Sequence, residues 1–168
     1  MLRKEKKMKK IIVIGCPGSG KTTFSLGLKE KTGLPLYHLD AIWHKPDKTH
    51  IPREEFDLRL SEILALDEWI IDGNYSRTVE RRMAECDTVF LFDLPTKVCI
   101  EGAISRIGSV RPDMPWIETQ LDPEFKCEIE DFSGKNLPEI YRLLGVYSEK
   151  NIVIFKSRKE CDDYLSSL

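Results

Sequence analysis

Eight residues near the start of the chain, Gly15-Cys16-Pro17-Gly18-Ser19-Gly20-Lys21-Thr22, fit the spacing G-x-x-x-x-G-K-[ST]. Glycines at 15, 18 and 20 let successive backbone N–H groups curl around an anion with no Cβ in the way. Lys21 can reach the β- and γ-phosphates of a nucleotide, and the Thr22 hydroxyl suits Mg²⁺. A helix opening near Gly20 adds the positive end of its dipole. The chemistry these residues support is the grip of a nucleoside triphosphate. A glycine turn that merely joins a strand to a helix is the simpler reading, but every fixed position of the motif is filled. The residues expected to hold the triphosphate are Gly15, Pro17, Gly18, Ser19, Gly20, Lys21, Thr22 and Thr23.

Such a loop needs a strand before it and a helix after it. Ile11-Ile12-Val13-Ile14 is an apolar, β-branched run, and Phe24 and Leu28 lie one turn apart ahead of Gly33, a helix stop. Further strands are expected over 34–39, ending at Asp40, and over 68–72, closed by Gly73-Asn74-Tyr75. Two more are expected over 88–92, ending at Asp93, and over 151–155. Helical spacing recurs in Phe56, Leu60, Ile63 and Leu64 after Pro52, in Val79, Met83 and Cys86, and in Ile100, Ile104 and Ile107. Phe125, Ile129 and Phe132 mark another helix ending near Gly134, and Pro138 starts one that Gly145 stops. Ser157-Arg158-Lys159-Glu160 reads as a capping box ahead of Cys161, Tyr164, Leu165 and Leu168. Residues 41–51 and the proline-rich 108–123 read as loops. Strands alternating with helices predict a parallel sheet covered on both faces, in one domain, with ligands at the strands' carboxyl ends. Those ends carry Gly15, Asp40, Asp72 and Asp93.

Composition narrows the function classes. The 168 residues are 41% hydrophobic and 32% charged with a net charge of −2, so no overall positive field favours a nucleic-acid backbone. Residues 1–9 form a basic tail, and no apolar run approaches membrane length. Five scattered cysteines (Cys16, Cys86, Cys99, Cys127, Cys161) show no C-x-x-C spacing, which fits a reducing cytoplasm better than a disulfide or zinc framework. Cys16 is either an oxidisable thiol or simply a small residue.

The motif and its flanks resemble the P-loop kinases of the nucleoside monophosphate kinase type. Ile70-Ile71-Asp72-Gly73 looks like the apolar-apolar-Asp-Gly that closes the third strand in adenylate kinases, although Asn74-Tyr75-Ser76-Arg77 replaces their Phe-Pro-Arg continuation. His38-Leu39-Asp40 together with Trp69-Ile70-Ile71-Asp72-Gly73-Asn74-Tyr75 resembles the adenylate-kinase-related "DNA topology modulation" proteins of FlaR type, over about residues 9–168. The resemblance implies a three-layer α/β/α fold with a five-stranded parallel sheet in the order 2-3-1-4-5 and a short lid at about 106–135. It also implies ATP and Mg²⁺ as cofactors and a small-molecule phosphoryl acceptor bound at about 40–66.

In such a kinase the chemistry is positioning and charge neutralisation. Thr22 and Asp72 are the expected metal ligands, Asp72 through water. If the acceptor is a hydroxyl, Asp40 is expected to orient and help deprotonate it. If it is a nucleotide phosphate, Arg53, Arg59 and Arg77 are expected to supply an anion site. Trp43 and Tyr75 are candidates to stack on a flat acceptor, with Asn74 beside them. Arg106 and Arg111 are expected to neutralise transition-state charge from the lid. Lys156-Ser157-Arg158 is expected near the adenine. The same resemblance leaves open a second reading, a nucleotide-binding regulator of DNA topology with little kinase activity.

Overall fold

The computed structural model describes residues 7–168, so most of the expected basic tail lies outside the described residues. What is described of it is docked. The backbone N–H groups of Lys9 and Lys10 donate to Asp87 Oδ2 at 2.9 and 2.8 Å, and Met8 packs against the core.

The central strand is the apolar run itself. β1 (Lys10–Gly15) pairs in parallel with β3 (Trp69–Asp72) on one side and with β4 (Thr88–Phe92) on the other. β2 (Leu36–His38) lies beyond β3 and β5 (Asn151–Phe155) beyond β4, giving the order β2-β3-β1-β4-β5. Ile11, Ile12, Val13 and Ile14 are wholly buried. Such unbroken apolar runs suit strands covered on both faces.

The helices follow in chain order. They are α1 (Lys21–Thr32), α2 (Leu39–Trp43), α3 (Arg53–Leu64), α4 (Ser76–Glu85), α5 (Thr96–Ser105), α6 (Pro123–Lys135), α7 (Leu137–Val146) and α8 (Arg158–Ser167). α1 is seated on the sheet by Phe24, whose ring meets Phe90, Phe92 and Phe155 edge-on with centroids 5.0–5.3 Å apart. Gly33 closes α1 in the left-handed conformation, its N–H donating to the Lys29 carbonyl.

Four sequence expectations need correction. Residues 39–43 form a short helix, so Asp40 lies in its first turn and not at a strand end. β2 is an edge strand that pairs only with β3, and the ladder runs out where His38 faces Asp72. The Ile100-Ile104-Ile107 stripe is not the buried face of α5. Ile104 is half exposed, Ile107 lies beyond the helix, and Cys99, Gly102 and Ala103 are buried instead. α7 runs through Gly145 to Val146, because a glycine in a last turn does not oblige the helix to stop. In the capping box, Ser157 Oγ accepts from the Glu160 N–H, but the Glu160 carboxylate takes the N–H of Lys156 and not of Ser157.

Candidate active site

The phosphate loop turns on its glycines. Gly15, Gly18 and Gly20 have φ of 140°, 79° and 101°, conformations that other residues adopt at a cost. Space is as strict as torsion. A Cβ on Gly18 would lie 2.1 Å from the Cys99 carbonyl of α5, and one on Gly102 would lie 2.1 Å from the Gly18 carbonyl. The small-residue face of α5 is therefore the seat of the loop, and larger side chains there would push it out of shape. Arg158, at the start of α8, donates to the Gly18 carbonyl at 3.2 Å, so it braces the loop from behind.

Inside the loop, Lys21 Nζ donates to the Cys16 carbonyl at 2.9 Å, and Ser19 Oγ donates to the same oxygen at 2.6 Å. Burial pulls the Lys21 pKa below the ordinary lysine range, while the nearby carboxylates of Asp72 and Asp40 act the other way. Cys16 is buried. Its hydrogen bond with the Cys99 thiol, together with burial, raises its pKa, which is the opposite of what a reactive thiolate needs.

Thr22 Oγ1 lies 3.2 Å from Asp72 Oδ2 and 3.3 Å from Asp113 Oδ2. His38 Nδ1 is 2.9 Å from that same Asp72 oxygen. A hydroxyl and a carboxylate at the tip of a buried strand are hard oxygen donors of the kind Mg²⁺ takes alongside waters and phosphates. The pair Thr22 and Asp72 therefore fits that ion. Among the described residues no group of three or more His, Cys, Asp or Glu forms a cage that would hold a metal on protein ligands alone.

The loop opens into a cavity of about 1340 Å³. Lys21, Thr22 and Asp72 line its floor, Asp40, Trp43, Asn74 and Tyr75 one wall, and Arg106, Arg111 and Trp116 the lid side. Tyr75 OH donates to Asp40 Oδ1 at 2.7 Å. The Asp40 side chain keeps 39% of its surface, yet it sits deep in the cleft, and burial raises its carboxyl above the ordinary range. The Tyr75 hydrogen bond and His44 Nε2, 3.8 Å away, oppose that rise, and Asp113 adds to it.

The wall is held by an unusual backbone. Tyr75 caps α4 with φ 32°, in the left-handed region where a bulky residue is strained by about 1–2 kcal/mol. Arg82, fully buried, offsets this from α4. Its guanidinium donates to the carbonyls of Gly73, Asn74 and Tyr75 at 2.9, 2.5 and 3.4 Å. Burial lowers its pKa to about 10, so it stays charged at neutral pH. Tyr75 then stacks on Phe56 at 5.2 Å and meets Trp43 edge-on at 6.3 Å.

Two buried polar atoms beside the cavity have no hydrogen-bond partner among the described residues: Arg106 Nε, a donor, and Asn74 Oδ1, an acceptor. A buried unpaired donor costs about 1–3 kcal/mol unless a ligand completes it. Both atoms are therefore free to meet a bound ligand.

In sequence the chain is similar to the adenylate kinases of Thermotoga neapolitana and Thermotoga maritima, with 30% identity over 85 residues in each case. The aligned stretch is 49% of this chain and 38% of each relative, so well under half of those enzymes is matched. No protein-family model matches the chain. In structure it is similar to a shikimate kinase from Acinetobacter baumannii in complex with shikimate, with a TM-score of 0.63 and 15% identity, covering 95% of this chain and 90% of that one. A shikimate kinase from Bacteroides thetaiotaomicron gives 0.57 and 16%, over 95% and 96%. The fold is that of the P-loop kinases.

Within that fold the structure gathers Lys21, Thr22, Asp40, Trp43, Asp72, Asn74, Tyr75, Arg106 and Arg111 around one cavity. It does not bring Arg53 and Arg77 there. They line a separate hollow of about 250 Å³ behind Trp43 and Tyr75, and Arg77 is spent on Asp57 through two hydrogen bonds of 2.6 and 3.1 Å. Arg59 is paired with Glu55 on the exposed face of α3. Lys156 pairs with Asp93 and Tyr141 at the surface. Sequence reasoning named His38 only within a family-like run, and missed Arg82, Gly102 and Asp113. All of them needed the chain's path.

Proposed function

We propose that this protein is a cytoplasmic, ATP- and Mg²⁺-dependent kinase that phosphorylates a hydroxyl group of a small molecule. The observation that carries the reading is the pairing of a complete phosphate loop with a cavity whose acceptor wall, among the described residues, presents a carboxylate, Asp40, and no arginine. A nucleotide-phosphate acceptor calls for arginines there, and the expected ones, Arg53, Arg59 and Arg77, are turned elsewhere, although Lys48 and Lys135 also line the cavity. The named neighbours are adenylate kinases and shikimate kinases, which support small-molecule phosphoryl transfer in general. FlaR-type membership has its support in the two runs behind that resemblance, both of which place residues on this cavity. Nothing observed favours the regulator of DNA topology.

The residues then have the following roles. Loop N–H groups, Lys21 and Arg106 bind the β- and γ-phosphates, and Thr22 and Asp72 hold the metal, which when bound neutralises phosphate charge. Asp40 takes the proton of the acceptor hydroxyl, with Oδ1 anchored by Tyr75 and Oδ2 left for the substrate. Asn74 Oδ1 accepts from a second acceptor hydroxyl. Arg106 meets the charge of the transferring group, and Arg111 beside it is paired with Asp113 and Glu118. A screen of nucleosides, polyols, hydroxy acids and nucleoside monophosphates with ATP and Mg²⁺ tests this. Acceptor-dependent ADP release that Lys21→Ala abolishes is expected, and release driven only by nucleoside monophosphates would refute the hydroxyl assignment.

A further inference from the structure

Asp113 lies in the irregular segment between α5 and α6, yet it is only 2% exposed. Arg111 grips it with a fork, Nε to Oδ1 at 3.1 Å and Nη2 to Oδ2 at 2.6 Å. The same Oδ2 faces Thr22 Oγ1, ninety-one positions earlier in the chain, at 3.3 Å. Asp72 Oδ2 faces that hydroxyl from another side at 3.2 Å. Two carboxylates thus converge on one hydroxyl that carries a single proton. Both separations exceed the 2.5–2.7 Å typical of a hydroxyl bonded to a carboxylate. They are close to the roughly 3 Å edge between neighbouring oxygens around Mg²⁺, whose bonds run about 2.0–2.1 Å.

Pairing with Arg111 alone does not account for this. Arg111 has a second carboxylate, Glu118, 3.6 Å from Nη1, and an ion pair would be satisfied wherever Asp113 pointed. What the fork achieves is to fix the Asp113 carboxylate so that one oxygen is presented to the phosphate-loop threonine. Asp72 is fixed in turn by its strand and by His38.

We propose that Asp113 is a third oxygen donor to the metal site of Thr22 and Asp72, supplied by the lid segment and oriented by Arg111. This rests on the reading of the chain as an ATP·Mg²⁺ kinase. One acidic wall comes from the sheet and the other from the lid, so an ordered lid and a loaded metal site require each other. The charge of Asp113 then has opposite consequences with and without the ion. Beside a bare triphosphate it repels; beside a divalent cation it attracts.

The experiment measures ATP affinity by calorimetry in EDTA, and Mn²⁺ affinity of the ATP-saturated protein by electron paramagnetic resonance, in the parent and in Asp113→Asn. The variant is expected to bind metal-free ATP at least as tightly as the parent and to hold Mn²⁺ about tenfold or more weakly. Asp113→Glu, which keeps the charge, should recover part of the Mn²⁺ affinity. Asp113→Ser stands in if the asparagine form does not fold, with the same opposed signs expected. Loss of affinity in both buffers would make Asp113 a mere support of the loop, and gain in both would make it a self-inhibitory latch. Unchanged Mn²⁺ affinity would leave it only a partner of Arg111. Each of these overturns the proposal. A parent that binds no ATP in either buffer overturns the kinase reading first, and this inference with it.

Discussion

Asp40 and Lys21 face the same cavity with pKa values displaced toward each other. Burial lifts the Asp40 carboxyl above its ordinary range and lowers the Lys21 ammonium below its own. In the proposed mechanism Asp40 works deprotonated, so activity should appear only as pH rises through a value above the usual aspartate range. Lys21 works protonated, so activity should fall at a pH below the usual lysine range. The expected kcat/KM profile is a bell narrower on both sides than unperturbed groups would give, and a profile with ordinary limits would exclude this pairing. Asp40→Asn should lower kcat by about 10²–10⁴ with little change in ATP affinity. Equal turnover of variant and parent would remove Asp40 from the chemistry. Lys21 and Thr22 were legible in the sequence because the loop's chemistry fixes their spacing within eight residues. Asp40 was legible only as an acid after a strand, and its bond to Tyr75 joins positions thirty-five apart. Asp113 had no periodicity to betray it.

Among the elements, α5 and α4 shape the site without touching the reacting atoms. Gly102 lets α5 press against the loop, where a methyl group would overlap the Gly18 carbonyl at 2.1 Å. Gly102→Ala should cost about 1–3 kcal/mol of overpacking, felt mainly by the loop. ATP affinity should fall by about tenfold or more while the circular dichroism of the fold persists, and a variant with unchanged affinity would show that α5 does not set the loop. Arg82→Met would leave the Gly73 and Asn74 carbonyls unpaired and release the strained Tyr75 backbone. About 2–4 kcal/mol of stability should be lost, lowering Tm by roughly 10 °C in a chain of this size. An unchanged Tm would refute the role of Arg82 as the brace of that wall. Hydrophobic periodicity found nearly every helix because most bury an ordinary apolar stripe. It misplaced the buried face of α5 because that contact is with backbone, which demands small residues and leaves Ile104 outside. It missed α2 because a five-residue helix has no period to read.

At the scale of the whole molecule, β1 sits at the centre of the sheet between two further buried strands, β3 and β4, with the loop at its carboxyl end. The tips of β1 and β3, and α2 and the lid beyond them, close around one cavity, which is why residues scattered from Pro17 to Asn136 meet there. Among the described residues no helix is long and apolar enough to cross a membrane. The sequence alone pointed to a triphosphate but not to what receives its phosphate, because that depends on which arginines turn toward the cavity, and Arg77 turns to Asp57 instead. The most direct measurement of the central claim is calorimetric titration of the parent and of Lys21→Ala with ATP and Mg²⁺. Saturable one-to-one binding by the parent, weakened at least tenfold in the variant, is the expected result. A parent that takes up no ATP, or a variant that binds it equally well, would contradict the account.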